Sequence, residues 1–154
     1  MNDDETAGVF APPPVVFGVA LASGLALGAI VERSERARTL ARGVGVLAIV
    51  GGAILGIATI AALKSVGTNL DPFKPTTALA TAGVFRRTRN PGYVGATSIY
   101  IGIALLARSL PAFVFLPVAL ALMDSGVVDR EERYLEKKFG AAYRAYRDDV
   151  PRWF

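Results

Sequence analysis

VGVLAIVGGAILGIATIAAL, residues 44–63, carries no charged side chain and stops at Lys64. At about 1.5 Å per residue, a helix of this length spans the roughly 30 Å hydrocarbon core of a bilayer, so the run reads as a transmembrane helix. Upstream, Pro14 to Val31 is a second apolar run, ended by the charged Glu32-Arg33-Ser34-Glu35-Arg36-Ala37-Arg38, which must leave the hydrocarbon. Downstream, Tyr93 to Ala107 is apolar but reaches only about 22 Å as a helix. Arg108-Ser109 then turns the chain, and Leu110 to Val128 returns across the membrane with Pro117 inside it as an expected kink. The fold class predicted is all-α: a polytopic integral membrane protein of about four transmembrane helices.

Two segments complete the plan. Residues 65–92, with Asp71-Pro72, Lys74-Pro75 and an amphipathic piece ending at Arg86-Arg87, read as an interfacial loop. From Asp129 the apolar residues Tyr134, Leu135, Phe139, Ala142, Tyr143 and Tyr146 recur at helical spacing among charged ones, which predicts a C-terminal amphipathic helix over 129–154 on the cytoplasmic side. The chain is then one membrane domain, 1–154: two N-terminal spans in 9–64, the interfacial loop at 65–92, a tight transmembrane hairpin at 93–128 and a cap helix at 129–154.

Composition agrees with a lipid setting: 53% hydrophobic residues, a mean hydropathy of +0.43, 16 Gly and 9 Pro. No Cys and no His occur, which removes thiolate nucleophiles, disulfides, zinc fingers, imidazole bases and His-held haem, and no metal site is expected. The net charge of +4 sits between apolar runs, where it suits lipid phosphates better than nucleic acid. Four full spans put twelve Lys and Arg on one face and five on the other, which favours both termini in the cytoplasm of a bacterial inner membrane; the four Arg residues of the first loop argue the other way. The acidic start, Met1-Asn2-Asp3-Asp4-Glu5, lacks the basic region of a cleavable signal, so the first apolar run is expected to stay as a helix.

A hairpin of the last two spans brings Arg89-Asn90-Pro91-Gly92-Tyr93 and Glu131-Glu132 to one membrane face, so a cation, an aromatic and two carboxylates meet. Singly these are a turn, an interfacial Tyr and a solvated helix face. Together they form part of an ordered set: Gly83-Val84-Phe85-Arg86-Arg87-Thr88-Arg89-Asn90-Pro91-Gly92-Tyr93-Val94-Gly95, the apolar hairpin, Glu131-Glu132, then Phe139-Gly140-Ala141-Ala142-Tyr143-Arg144-Ala145-Tyr146 and Val150-Pro151-Arg152. From about Thr68 to Phe154 the chain resembles the isoprenylcysteine carboxyl methyltransferase and phospholipid methyltransferase superfamily, membrane enzymes that use S-adenosylmethionine (SAM). That family's pattern runs Arg-His-Pro-x-Tyr-x-Gly, hairpin, Glu-Glu, Phe-Gly-x-x-Tyr-x-x-Tyr and Val-Pro-Arg. Asn90 stands at its His, and an amide hydrogen-bonds but takes no proton near neutral pH.

The resemblance implies a SAM pocket between the hairpin ends, covered by the C-terminal helix. Its implied cofactor-binding residues are Arg89, Asn90, Pro91, Tyr93, Gly95, Glu131 and Glu132, and its implied catalytic residues Arg89, Asn90, Tyr93 and Glu131. Glu131 or Glu132 would accept from the ribose hydroxyls or the amino group, Arg89 and neighbouring backbone N–H groups would hold the carboxylate, and Tyr93 would pack on the adenine or methionyl arm. The acceptor implied is lipid-like or prenylated, with a carboxylate slightly favoured because it attacks without losing a proton, whereas an amine or thiol must lose one. Its apolar part would come from the bilayer between spans, near Gly95, Ala96, Thr97, Ser98 and Gly102, although tight helix packing is the better reading of those small residues. Asp124, near the cytoplasmic end of the fourth span, is a secondary candidate that needs a partner. A nicotinamide-dependent membrane reductase and a non-catalytic scaffold are the competing readings. Bulk membrane lipid is the other expected partner, and Gly-rich spans suit a monomer or a homodimer.

Overall fold

The computed structural model describes residues 6–30, 38–69 and 74–153. The acidic start at 1–5, most of the charged stop at 32–38 and Asp71-Pro72 lie outside the described residues. Helices α1 (Pro13–Gly28), α2 (Arg38–Ser65), α3 (Pro91–Ala107), α4 (Leu110–Met123), α5 (Asp129–Phe139) and α6 (Ala141–Asp149) follow in order. A 3₁₀ turn, Gly83–Arg86, precedes α3, a π-helical turn, Asp124–Val128, joins α4 to α5, and no strand occurs among the described residues. Helices α1, α3 and α4 each carry Pro in the first turn, where a missing N–H is harmless. The Ser109 hydroxyl caps α4 by accepting the Ala112 N–H at 3.3 Å.

The protein is an all-α membrane protein. Ala41–Ser65 and the continuous helix Leu110–Phe139 are long and apolar enough to cross a bilayer, while Pro13–Gly28 and Pro91–Ala107 are apolar and shorter. Their outer faces expose large aliphatic side chains, among them Leu47 at 73%, Ile57 at 68% and Val114 at 71%, which only lipid can cover along the whole bundle.

Glycine decides how the helices pair. Gly45 and Gly52 on α2 are seven residues apart, as are Gly95 and Gly102 on α3, and the two sets meet antiparallel. A Cβ on Gly95 would stand 2.8 Å from the Gly52 carbonyl oxygen, and one on Gly102 2.6 Å from that of Gly45. Between these crossings Ser98 Oγ donates to the Ala48 carbonyl at 3.0 Å. Such close backbone approach is how helices gain packing energy in lipid, where no hydrophobic effect drives them together. In the second pair, α1 lies along α4: Gly24 and Gly28 abut Ala112 and Ser109, and Ser109 Oγ donates to the Gly24 carbonyl at 2.8 Å. The core between the pairs holds Phe17, Tyr100, Leu116 and Met123, with the Phe17 and Tyr100 rings edge to face at 6.4 Å.

Three expectations are corrected. The third and fourth spans share the left-handed turn at Arg108 (φ 53°) but make sparse contact with each other, because α3 packs on α2 and α4 on α1. Pro117 lies within α4, and beyond it a π-helical turn occupies Asp124–Val128. The C-terminal segment is two helices, α5 and α6, since Gly140 takes φ 54°, which breaks the helix where a glycine tolerates it. Finally, α1 ends at Gly28, short of Val31, whereas α2 runs six residues before Val44 and two past Leu63.

Gly95→Leu is expected to destabilise the bundle by about 1–3 kcal/mol through overpacking, read as a lower thermal midpoint in detergent. Gly51→Leu, where a new Cβ meets nothing within 4 Å, should leave the midpoint nearly unchanged.

Candidate functional site

The short segment before α3 is tied to the end of the chain by its backbone. The Arg89 N–H donates to the Pro151 carbonyl at 3.0 Å, and Thr88 Oγ1 donates to the Arg152 carbonyl at 2.8 Å. Asn90 Nδ2 donates to the same Arg152 carbonyl at 3.1 Å, while the Asn90 N–H donates to Thr88 Oγ1 at 3.2 Å. The amide at the family's His position is therefore employed in holding the C-terminal tail.

Two buried charges meet beside it. Arg89 Nε and Nη2 reach Glu132 Oε1 at 3.2 and 3.0 Å, and Arg89 Nη1 donates to the carbonyls of Arg147 and Val150 at 2.9 and 3.2 Å. Four N–H groups of this guanidinium are thus committed within the protein, and both side chains are nearly buried, at 11% and 13% exposure. On its other side Glu132 accepts from Arg152 Nε at 3.2 Å and Nη2 at 2.8 Å. Asp124, which the sequence marked as needing a partner, pairs with Arg152 Nη1 at 3.2 Å.

Glu131 is placed differently. Both its oxygens accept from the Tyr93 hydroxyl, at 2.8 and 2.9 Å, linking α5 to the first turn of α3. It lies in the polar extension of the helix, beyond the apolar run that ends at Val128. Burial is the main reason its carboxyl is pushed up to about 7; the Glu132 charge adds to this, and the Tyr93 hydrogen bond opposes it.

These groups line one cavity of about 740 Å³, within the roughly 300–1,000 Å³ of small-molecule sites. Its polar end carries Arg89, Asn90, Tyr93, Glu131 and Glu132, with Tyr143 and Tyr146 from α6. Tyr146 is fixed by donating to the Phe85 carbonyl at 2.8 Å and by an edge contact with Tyr143 at 6.3 Å. The loop closes another side, where the Thr76 N–H donates to the Tyr134 hydroxyl at 3.0 Å. Away from this end the walls are mainly apolar: Pro12, Pro13, Pro14 and Phe17 on one side, Gly56, Ile60 and Leu63 on the other, Ala96 between, with the Thr59 hydroxyl turned back to the Leu55 carbonyl at 2.8 Å. Helices α1 and α2 make little contact with each other, so the apolar part of the cavity lies between them.

Of the residues the sequence proposed, Arg89, Asn90, Pro91, Tyr93, Glu131 and Glu132 come together here. Gly95 does not line the cavity, because its face is taken by Gly52 and Gly56 of α2. Gly102 likewise packs on Gly45 and Ile49. Sequence reasoning gave no role to Pro12–Pro14, Phe17 or Arg152. The helical stripe that contains Tyr143 and Tyr146, expected to lie on the membrane or to cover the bundle, takes the covering position, since both residues line the cavity.

The fold and site define an all-α membrane protein whose bundle encloses one cavity, charged at one end and mainly apolar at the other. Over residues 40–142 the sequence matches the phospholipid methyltransferase family, and the chain belongs to that family of membrane methyltransferases. The match takes in α2 through the start of α6, and so reaches further towards the N-terminus than the motifs from Thr68 onward. No curated protein and no solved structure matches.

Arg89→Met leaves Glu132 with Arg152 alone and strands two tail carbonyls. We expect it to lower unfolding stability in detergent by about 3–5 kcal/mol, the range for breaking one side of a buried ion pair.

Proposed function

We propose that the protein is a SAM-dependent methyltransferase whose acceptor is membrane-embedded and carries an apolar tail. The observation that carries this reading is the cavity's division into a carboxylate-bearing polar end and an apolar body between α1 and α2. The polar end fits SAM by the chemistry of its donors and acceptors. Glu131 offers a carboxylate to a cationic or hydroxyl-rich ligand, Tyr93 and Tyr143 offer flat faces, and Asn90 borders the same space. Arg89 has at most one N–H left for a ligand, so backbone N–H groups take a larger share of holding the cofactor's carboxylate than the sequence implied. When bound, SAM supplies a methyl group already activated by its sulfonium.

The chain's own residues then orient, exclude water and manage charge. Pro12–Pro14, Phe17 and Ile60 offer no hydrogen bonds and suit an isoprenoid or acyl chain, which reaches them laterally from the bilayer. The acceptor favoured by elementary reactivity is a carboxylate, as in a prenylcysteine-like molecule, since it attacks without a base. A second acceptor, the amine of a phospholipid headgroup, is favoured by Glu131: a carboxyl that titrates near neutrality beside the acceptor can take the proton an ammonium must lose. The positive-inside count favours a site on the cytoplasmic side, in a bacterial inner membrane on this reading.

Incubation of the purified protein in lipid nanodiscs with methyl-labelled SAM and either a prenylcysteine analogue or phosphatidylethanolamine tests the reading. Labelled acceptor supports it. At saturating SAM, a pH-flat rate near neutrality indicates the carboxylate, and a rate rising with pH the amine. Failure to bind SAM, with binding of NADPH instead, would replace it by the reductase reading, and silence from both by the scaffold.

SAM affinity itself should depend on pH. The groups around Glu131 are Tyr93 from α3, its neighbour Glu132, Arg89 and Tyr143. Its proton is held to about pH 7 and the ionised form meets the cation, so affinity rises with pH through neutrality, by up to about tenfold. Calorimetric titration at several pH values should show this slope in the wild type, and a flat, weaker response in Glu131→Gln.

A further inference from the structure

Helix α4 passes into α5 through the π-helical turn Asp124–Val128, in which the Asp129 N–H donates to the Asp124 carbonyl five residues back. Around an α-helix, positions five apart sit about 140° from each other. The wider π turn brings them to nearly the same side. Asp124 and Asp129 therefore share a face, and Glu132, three residues on, joins them. Three carboxylates on one face repel unless a cation lies among them.

Arg152 supplies it. Its guanidinium stands 3.2 Å from Asp124 Oδ1, 2.9 Å from Asp129 Oδ1 and 2.8 Å from Glu132 Oε2. The Arg152 carbonyl is meanwhile held by Thr88 and Asn90 at the start of α3. One residue thus fixes the phase of α5 relative to α4 with its side chain and the position of α3 with its backbone. A return of the turn to α-helical winding would rotate α5 by about 100° and carry Glu131 away from Tyr93.

We propose that Arg152 is a positioning residue: by bridging Asp124, Asp129 and Glu132 it holds the π-helical turn, so that Glu132 stays neutralised within the protein and Glu131, on Tyr93, is the carboxylate presented to the cofactor. The inference rests on the methyltransferase reading and adds to it which Glu of the pair serves the ligand, and through what. Arg152 lies beyond the residues matched by the family, 40–142.

A double-mutant cycle on SAM affinity, measured by calorimetry, tests it. Arg152→Gln and Glu131→Gln should each weaken binding by about tenfold, and the double variant should bind no more than about twofold weaker than Glu131→Gln alone, because both act through one carboxylate. Trp153, the only Trp, reports on the tail without ligand: its emission should shift to the red in Arg152→Gln and stay near wild type in Arg152→Lys. Should Arg152→Gln not fold, the cycle is run with Arg152→Lys, whose single ammonium cannot fork to three carboxylates; a smaller but again non-multiplying loss is expected. Losses that multiply in the double variant overturn the inference while leaving the methyltransferase reading intact. A wild-type protein that binds no SAM overturns both.

Discussion

Glu132 carries its charge at the end of an apolar bundle, almost out of reach of water, and the rest of the site depends on how that charge is met. A carboxylate so placed stays ionised only among compensating donors. Arg89, ahead of α3, and Arg152, in the tail, supply them from opposite sides. Because one comes from the membrane entrance of α3 and the other from the last residues of the chain, neutralising Glu132 also closes the C-terminal half into a ring. Asn90 and Thr88 complete that ring through the Arg152 carbonyl.

The arrangement explains why two adjacent glutamates differ in character. Glu132 is saturated by guanidinium contacts, whereas Glu131 meets only a phenol and keeps acceptor capacity towards the cavity. It also explains why the cavity persists. Glycine crossings draw α3 onto α2, and small-residue contacts draw α4 onto α1, but among the described residues α1 and α2 make little contact. The space left between the pairs is apolar by default, since its walls are the sides of membrane helices, and it meets the polar ring at Tyr93. The proposed function, a polar cofactor beside an acyl or prenyl chain, needs such a junction.

Much of this was legible in the sequence, for identifiable reasons. An uncharged run such as Val44–Leu63 has one physical solution in a bilayer, so its helix and setting follow directly. The meeting of Tyr93 with Glu131 was legible too, because a chain that crosses and returns brings its ends to one face. Sequence adjacency misled where it stood in for packing: α3 and α4 were read as partners because they are consecutive, while the seven-residue spacing of Gly45 and Gly52 against Gly95 and Gly102 had already encoded the α2–α3 contact. Gly140 sat in a helical pattern, and only its positive φ shows that the pattern breaks there. Arg152 was visible only within the Val150-Pro151-Arg152 motif and the Pro12–Pro14 wall not at all, since each acquires its role through contact with residues twenty or more positions away or with a separate helix pair.

The central claim is that one cavity, bounded by the start of α3, the start of α5 and the face of α6, receives the adenosyl cofactor. Ultraviolet cross-linking of methyl-labelled SAM to the wild-type protein in nanodiscs, followed by peptide mapping, addresses it most directly. The account predicts label on peptides containing Tyr93, Glu131 or Tyr143 and Tyr146, competed away by S-adenosylhomocysteine. Competable label confined to other segments, such as the outer face of α4 around Val114, would contradict it.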